Sequence, residues 1–391
     1  MSHILILLDP EPAPGWVPFV GVRPLSELRA GAHMIRERWE MLVGAEAREI
    51  IALPHLAGFA EAGMPPVVPR HAIPGPAVIG SSAFAPQGLA PEFPSEPFRL
   101  ACGGITVGWG VPAGATWDGP VPQAQAVEVP GLVLHGVHDL IPALEKLLPG
   151  DLRRLLGESD PIPAGSIIIG EPALIALQEC AVEPGVVFDT TAGPIVLESG
   201  VLVRSGTRLE GPLWVGANSR LLGGSIRVAA IGPRCNVRGE VSTSVFMGYA
   251  NKSHDGFLGH SVLGRWANLG AGTITSNLKN TYGPVRLDAA GTPVETGLQQ
   301  LGSLIADHAK TAIGTLLGTG TILGAGANVF GPAHPPKYVR PFAWGVDGTA
   351  RMEREGFLKI VERVLPRRDI AVDEATRAVL GRVYDWSVRA P

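Results

Sequence analysis

The sequence predicts three parts in order: an α/β domain, a left-handed parallel β-helix of hexapeptide repeats, and a short C-terminal helical cap. Three observations carry the prediction. Leu197, Val203, Leu209, Val215 and Leu221 recur at strict six-residue intervals. Of the 36 prolines, 23 fall within the first 163 residues, among short apolar runs. Beyond residue 350 the pattern turns helical and amphipathic. The expected domain boundaries are 1–160, 161–345 and 346–391.

In the first part, residues 4–8 are a continuous apolar run stopped by Asp9-Pro10, which marks a buried strand. Residues 26–43 read as a helix. Leu28, Ala32, Ile35, Trp39 and Leu42 recur at three- or four-residue steps, with Ser26 as N-cap. Ile50-Ile51-Ala52-Leu53 is a second short strand. The proline density argues for short strands and many loops rather than long helices. Residues 140–156 are helical again, end at Gly157 and close the domain.

From about residue 165 the texture changes. Ile231 and Val237 repeat the six-residue step, as do Leu263, Leu269 and Thr275. A helix needs a period of 3.6 and a regular strand a period of 2. A hexad with one inward aliphatic and a turn after it builds a parallel β-helix, three hexads to a coil. Each coil covers the backbone groups of the next, so only the ends stay open. The step fails between Val237 and Leu263, 26 residues apart, which predicts a loop or a slipped register. A second break, about 279–300, predicts a projecting loop, after which Ile313-Gly314 and Leu323-Gly324 resume the pattern. Residues 352–365 form a helix with Phe357, Ile360, Val361 and Val364 on one face. Asp373 N-caps another, with Ala375, Val379, Leu380 and Val383 facing in. Both helices are expected to cap the open end of the coil.

A chain of 391 residues with 46% hydrophobic and 17% charged residues can bury two or three cores. A net charge of −4 with scattered basic residues lacks the footprint of a nucleic-acid partner. Cys102, Cys180 and Cys235 lie too far apart for a disulfide framework or a metal knuckle, which fits a reducing cytoplasm. The first apolar run is five residues, and none approaches the ~18 of a membrane span. The expectation is a soluble cytoplasmic protein with no membrane span.

The first break carries the chemistry. His254 sits in a polar, Gly-containing segment and suits a base near neutral pH. Glu240 lies upstream and could hold its second ring nitrogen. A surface or structural histidine fits the same residues. Gly270-Ala271-Gly272 could bring backbone N–H groups close to a thin ligand or an oxyanion, or could simply form a tight corner. Asn268 and Asn277 suit hydroxyl recognition, or an asparagine ladder inside the coil. Lys279 and Lys310 suit anionic groups, or solvent. His254, His260 and His308 lack the tight spacing of a zinc set, so no metal ligand is predicted. Cys235 falls inside a hexad and reads as an inert buried thiol.

The run Leu269-Gly270-Ala271-Gly272-Thr273-Ile274-Thr275-Ser276-Asn277, preceded by Ser253-His254 and Leu258-Gly259, resembles a known family. It is similar to the acetyltransferase domain of the bifunctional N-acetylglucosamine-1-phosphate uridyltransferase/glucosamine-1-phosphate N-acetyltransferases, and most to a variant bacterial branch of sugar nucleotidyltransferases. Arg23-Pro24-Leu25-Ser26-Glu27-Leu28-Arg29-Ala30-Gly31 and Lys310-Thr311-Ala312-Ile313-Gly314-Thr315 resemble that branch too. The resemblance implies transfer of acetyl from acetyl-CoA to an amino sugar phosphate, in the synthesis of nucleotide sugars and cell-envelope precursors. By it, His254 is the base and Glu240 its orienting acid. Asn268 and Asn277 lie on the substrate, and Ala271 and Thr315 near acetyl-CoA; by residue type Lys279 joins the expected substrate set, and Gly270 and Gly272 the acetyl-CoA set. It also implies a homotrimer with acetyl-CoA between neighbouring coils.

The chain departs from the family at several places. Phe257 and Leu278 replace tyrosines, and Ser242 replaces a lysine of the sugar-phosphate site. The first domain is nucleotidyltransferase-like but degenerate. Its strand runs into Asp9-Pro10-Glu11-Pro12-Ala13-Pro14-Gly15, without the Gly-rich loop or the lysine that hold a triphosphate. Arg23 and Arg29 are the expected substitutes as phosphate ligands. If that domain is active it takes UTP or another NTP, with Mg2+. The alternatives are a non-catalytic sugar-nucleotide-binding or assembly scaffold and, further off, a metal hydrolase of the same hexapeptide class.

Overall fold

The computed structural model describes residues 3–89, 91–121, 124–345 and 350–389. The chain divides into two compact units. The first holds residues 1–16, 20–136 and 372–390; the second is in the main residues 137–371. Among the described residues the helices are α1 (Ile35–Val43), α2 (Leu140–Leu155), α3 (Arg354–Val364) and α4 (Glu374–Ser387).

A mixed seven-stranded sheet forms the first unit, in the order 125–128, 98–102, 105–111, 77–81, 4–8, 47–51, 67–68. The apolar run 4–8 takes an inner place because it must be covered on both faces, and Leu5, Ile6 and Leu7 are at most 3% exposed. It pairs in parallel with 47–51 and 77–81. Helix α1 makes the crossover between 4–8 and 47–51. Its Trp39 lies across Gly80, where a Cβ would fall 2.5 Å from the indole, and its Nε1 donates to Ser81 O at 3.0 Å.

Helix α1 starts at Ile35, not near Ser26. Residues 29–34 form a tight hairpin instead, Arg29–Ala30 against His33–Met34, turned by Gly31 at φ +69°. Leu28 and Ala32 match a helical period because both are buried around this hairpin. Ser26 lies in a 3-10 turn, Leu25–Glu27, and caps nothing.

The last helices do not act together as a cap. Helix α3 stays with the second unit, its Phe357 ring set against Phe342 and His308. Helix α4 starts as expected, with Asp373 Oδ1 accepting from Thr376 N–H at 2.7 Å, but it belongs to the first unit. Trp386 stacks on His55 with centroids 4.8 Å apart, over Gly21, which leaves room for the ring. Arg382 donates to the carbonyls of His55 and Ala57. Helix α2, placed by its sequence in the first domain, packs its Leu-rich face with the second unit.

The second unit is a parallel β-solenoid. One column of its inner wall runs Leu197, Val215, Ile231, Phe246, Leu263, Ile305, Leu323 and Val339, each the register partner of the next. None is more than 2% exposed. Eighteen residues separate Leu197 from Val215 and Ile305 from Leu323, but fifteen separate Ile231 from Phe246, so the six-residue step holds in some coils and fails in the middle of the solenoid. Between Val237 and Leu263 the register slips as expected: Val237 pairs with Lys252, fifteen residues on, and Val241 with Leu258, seventeen on, the extra residues lying in the 253–256 corner. The coil shortens at a corner, where Val228 and Thr243, both at φ +46°, take the bend in single residues. Forty-two residues separate Leu263 from Ile305, and the excess holds the expected projection. It is an antiparallel hairpin, Arg286–Ala289 with Thr292–Glu295, seated by Val285 and Leu287 on Gly320. Ile313 is 80% exposed at a corner, not in the wall. Among the described residues no helix is long and apolar enough to cross a membrane.

Candidate active site

Strand Asn251–Lys252 ends one face of a coil, strand Phe257–Gly259 begins the next, and residues 253–256 turn the corner. Gly256 makes the turn at φ +137°, where a Cβ would meet Thr273 O at 2.3 Å. His254 stands exposed at this corner. Its ring forms no hydrogen bond or ion pair among the described residues. It borders an open cleft of about 580 Å³ lined also by Arg238, Ser253, Ala271, Gly272 and Ile274.

Both flanks of His254 are tied to Arg238. The Asp255 carboxylate accepts from Arg238 Nε at 3.0 Å, an exposed pair of modest strength. On the other flank Lys252 is 2% exposed. Its Nζ donates to Arg238 O at 3.0 Å and to His254 O. Burial pushes the Lys252 ammonium down to about 8, with Asp255 pulling the other way.

Glu240, expected to orient His254, does not reach it here. Its register partner is Phe257, and its carboxylate lies 3.8 Å from Arg227 Nη2. Asn268 sits in an asparagine ladder: Asn236 Nδ2 donates to Asn251 Oδ1, and Asn251 Nδ2 to Asn268 Oδ1 at 2.6 Å. Asn277 faces His260, Nδ2 to Nδ1 at 2.8 Å, on the far side of the Phe257–Gly259 strand from His254. Burial, then Arg227, lower the His260 pKa. Lys279 donates to Pro284 O, and Lys310 to His308 O at 3.0 Å.

In the small-residue run, two of three amides are already used. Gly270 N–H donates to Thr311, and Gly272 N–H to Asp255 O at 3.1 Å. Ala271 N–H has no partner among the described residues and borders the cleft. Thr315 is 4% exposed and its hydroxyl donates to Ala312 O, so it is turned away from the cleft. The structure thus brings together His254 and Ala271 and leaves Glu240, Asn277 and Thr315 in other contacts. Sequence reasoning missed Lys252, Arg238 and Arg227. Arg227 Nε reaches Ser242 Oγ at 3.1 Å and so carries a cation to the position where a lysine was expected. Among the described residues no three His, Cys, Asp or Glu side chains converge as a metal set.

In the first unit, the guanidinia expected to bind phosphate are buried on protein acceptors. Arg23, 1% exposed, donates to Glu61 Oε1 at 2.8 Å and to Glu27 O. Arg29, 3% exposed, donates to Ala32 O. At the end of strand 4–8, where open α/β sheets bind ligands, both oxygens of Asp9 lie 3.1 Å from Leu25 N–H. Burial pushes the Asp9 carboxyl up to about 7; hydrogen bonds from Ser82, Leu25 and Ser26 oppose the rise.

Residues 5–92 match the family model described as Sugar nucleotidyl transferase. The chain is 31% identical over 144 residues to a bifunctional sugar-1-phosphate nucleotidylyltransferase/acetyltransferase of Sulfurisphaera tokodaii, covering 35% of each chain. It is 32% identical over 92 residues to the bifunctional protein GlmU of Methanococcus maripaludis, covering 22% of each. The Methanocaldococcus jannaschii GlmU is 34% identical over 74 residues, 19% of this chain and 18% of that one. The matches thus span about a third or less of these relatives' lengths.

Proposed function

We propose that this relative of the bifunctional sugar-1-phosphate nucleotidyltransferase/acetyltransferases is an acetyl-CoA-dependent N-acetyltransferase for an amino sugar phosphate of glucosamine-1-phosphate type. The observation that carries the reading is His254, exposed at a solenoid corner with no ring partner among the described residues, in one open cleft with Ala271, whose N–H also has none. A His ring in that state can take a proton from an acceptor ammonium. The freed amine attacks the thioester carbonyl carbon. Negative charge grows on the carbonyl oxygen, where an N–H donor such as that of Ala271 lowers the barrier. The C–S bond then breaks; the thiolate leaves with the proton held by His254, and the proton left on the acylated nitrogen passes to solvent. Arg227 offers a cation for the acceptor phosphate in place of the missing lysine. A homotrimer is the assembly that goes with this reading, and light scattering tests it.

The buried Arg23 and Arg29 and the engaged Asp9 favour a second reading for the first unit, a sugar-nucleotide-binding scaffold. An incoming triphosphate would have to displace Asp9 from Leu25 N–H. Asp9 is engaged by Leu25 N–H and Glu27 by Arg36, so both carboxylates already have protein partners. No step is therefore routed through a metal. Pyrophosphate release from an NTP and a sugar-1-phosphate would overturn the scaffold reading.

The acyltransferase reading is tested by thiol release from acetyl-CoA across a panel of amino sugar phosphates. His254→Ala should abolish turnover while the thermal unfolding profile is kept. Undiminished turnover in that variant refutes the assignment.

A further inference from the structure

We propose that Lys252 is the positioning residue of the candidate base: it sets the direction in which the His254 side chain leaves the coil. The proposal rests on the acyltransferase reading of the same corner. Residues 253–256 have few other ties: Ser253 Oγ donates to Asn251 Oδ1, and Asp255 O accepts from Gly272 N–H. Gly256 is conformationally free, Ser253 and His254 make no backbone pairing across the corner, and the Arg238–Asp255 bridge is solvent-exposed. Lys252 differs in kind. Its side chain is buried, and one ammonium bridges two backbone carbonyls, Arg238 O on the lower coil and His254 O in the corner.

Fixing the His254 carbonyl fixes the peptide plane that follows it, and with it the Cα–Cβ vector of His254. A charge-assisted bond to a carbonyl is about twice as strong as a neutral one, and no water competes at this depth. Without the ammonium, two carbonyls lose their donor and the corner can relax toward solvent. Asp255, the next residue, holds Gly272 N–H through its own carbonyl at 3.1 Å. A shifted corner therefore also loosens the turn that carries Ala271. Base and N–H donor are registered to each other through Lys252.

The test uses the full chain and two variants, Lys252→Met, which keeps the apolar stem, and Lys252→Arg, which keeps a buried cation. Two quantities are read: acetyl transfer at saturating acceptor, and hydrogen–deuterium exchange of the Gly272 amide. Lys252→Met should lower kcat about 10- to 100-fold, the effect of a misplacement near 1 Å. The KM for acetyl-CoA should stay within about twofold. Gly272 exchange should rise about tenfold. Lys252→Arg should recover most of both. Unchanged kcat with raised exchange would overturn the positioning role, and unchanged exchange would overturn the anchor itself. A variant that melts as a whole would show the loss in every solenoid amide, and Lys252→Arg then decides. If the wild type transfers no acetyl group, the function reading falls, and Gly272 exchange alone decides whether Lys252 holds the corner.

Discussion

Replacing Asp9 with Asn should stabilise the first unit at high pH and do little at low pH. The carboxyl closes the end of strand 4–8 and binds Leu25 N–H through both oxygens. Burial lifts its pKa from the ordinary 3.8 to about 7 in the folded chain. Between those values the folded state keeps a proton that the unfolded state has lost. The stabilising contribution is thus complete below pH 3.8 and is lost as pH rises through about 7. At about 1.4 kcal/mol per pH unit, the loss reaches up to about 4 kcal/mol. Asn does not ionise, and its carbonyl keeps an acceptor for Leu25. The variant should match the wild type near pH 3 and exceed it by a growing margin that levels off above pH 8. Urea unfolding at four or five pH values, followed by tryptophan fluorescence, measures this. A difference independent of pH would mean that Asp9 keeps an ordinary acidity, and the reasoning would fail.

Two further outcomes follow from packing. Leu258 is fully buried in the solenoid wall behind the His254 corner, so Leu258→Ala should cost the second unit about 2–5 kcal/mol in denaturant unfolding. Trp386→Ala removes the stacked ring that seats α4 on His55, so limited proteolysis should cut within 372–389 at least tenfold faster, while the solenoid's melting is unchanged.

Features set by near neighbours in sequence were legible. The 4–8 strand, the early hexads, the Asp373 cap and the projecting hairpin all follow from local pattern. The slipped register of the solenoid break was legible, but the corners that produce it were not, because coil length is a tertiary quantity. Val228 and Thr243 bend the wall at φ +46°, a state that β-branched residues rarely adopt and that no pattern announces. The false helix from Ser26 arose because Leu28 and Ala32 are buried at helical spacing by a hairpin. In the site, His254 and Ala271 stood out by residue type and setting. Lys252 did not, since a lysine two residues before a histidine reads as solvated until burial is known. Arg23 and Arg29 failed for the same reason, with acceptors as distant as Glu61.

The split of the first unit across the chain bears on how the protein is made. Residues 372–390 complete a unit whose other parts are translated before residue 137. At about 5–20 residues per second, the sheet of strands 4–128 leaves the ribosome on the order of ten to fifty seconds before α4 exists. Through that interval the surface around Gly21 and His55 is bare, while each solenoid coil can already dock on the one before it. Loss of the last helix would therefore leave the defect at Gly21 and His55, far from the missing residues in sequence.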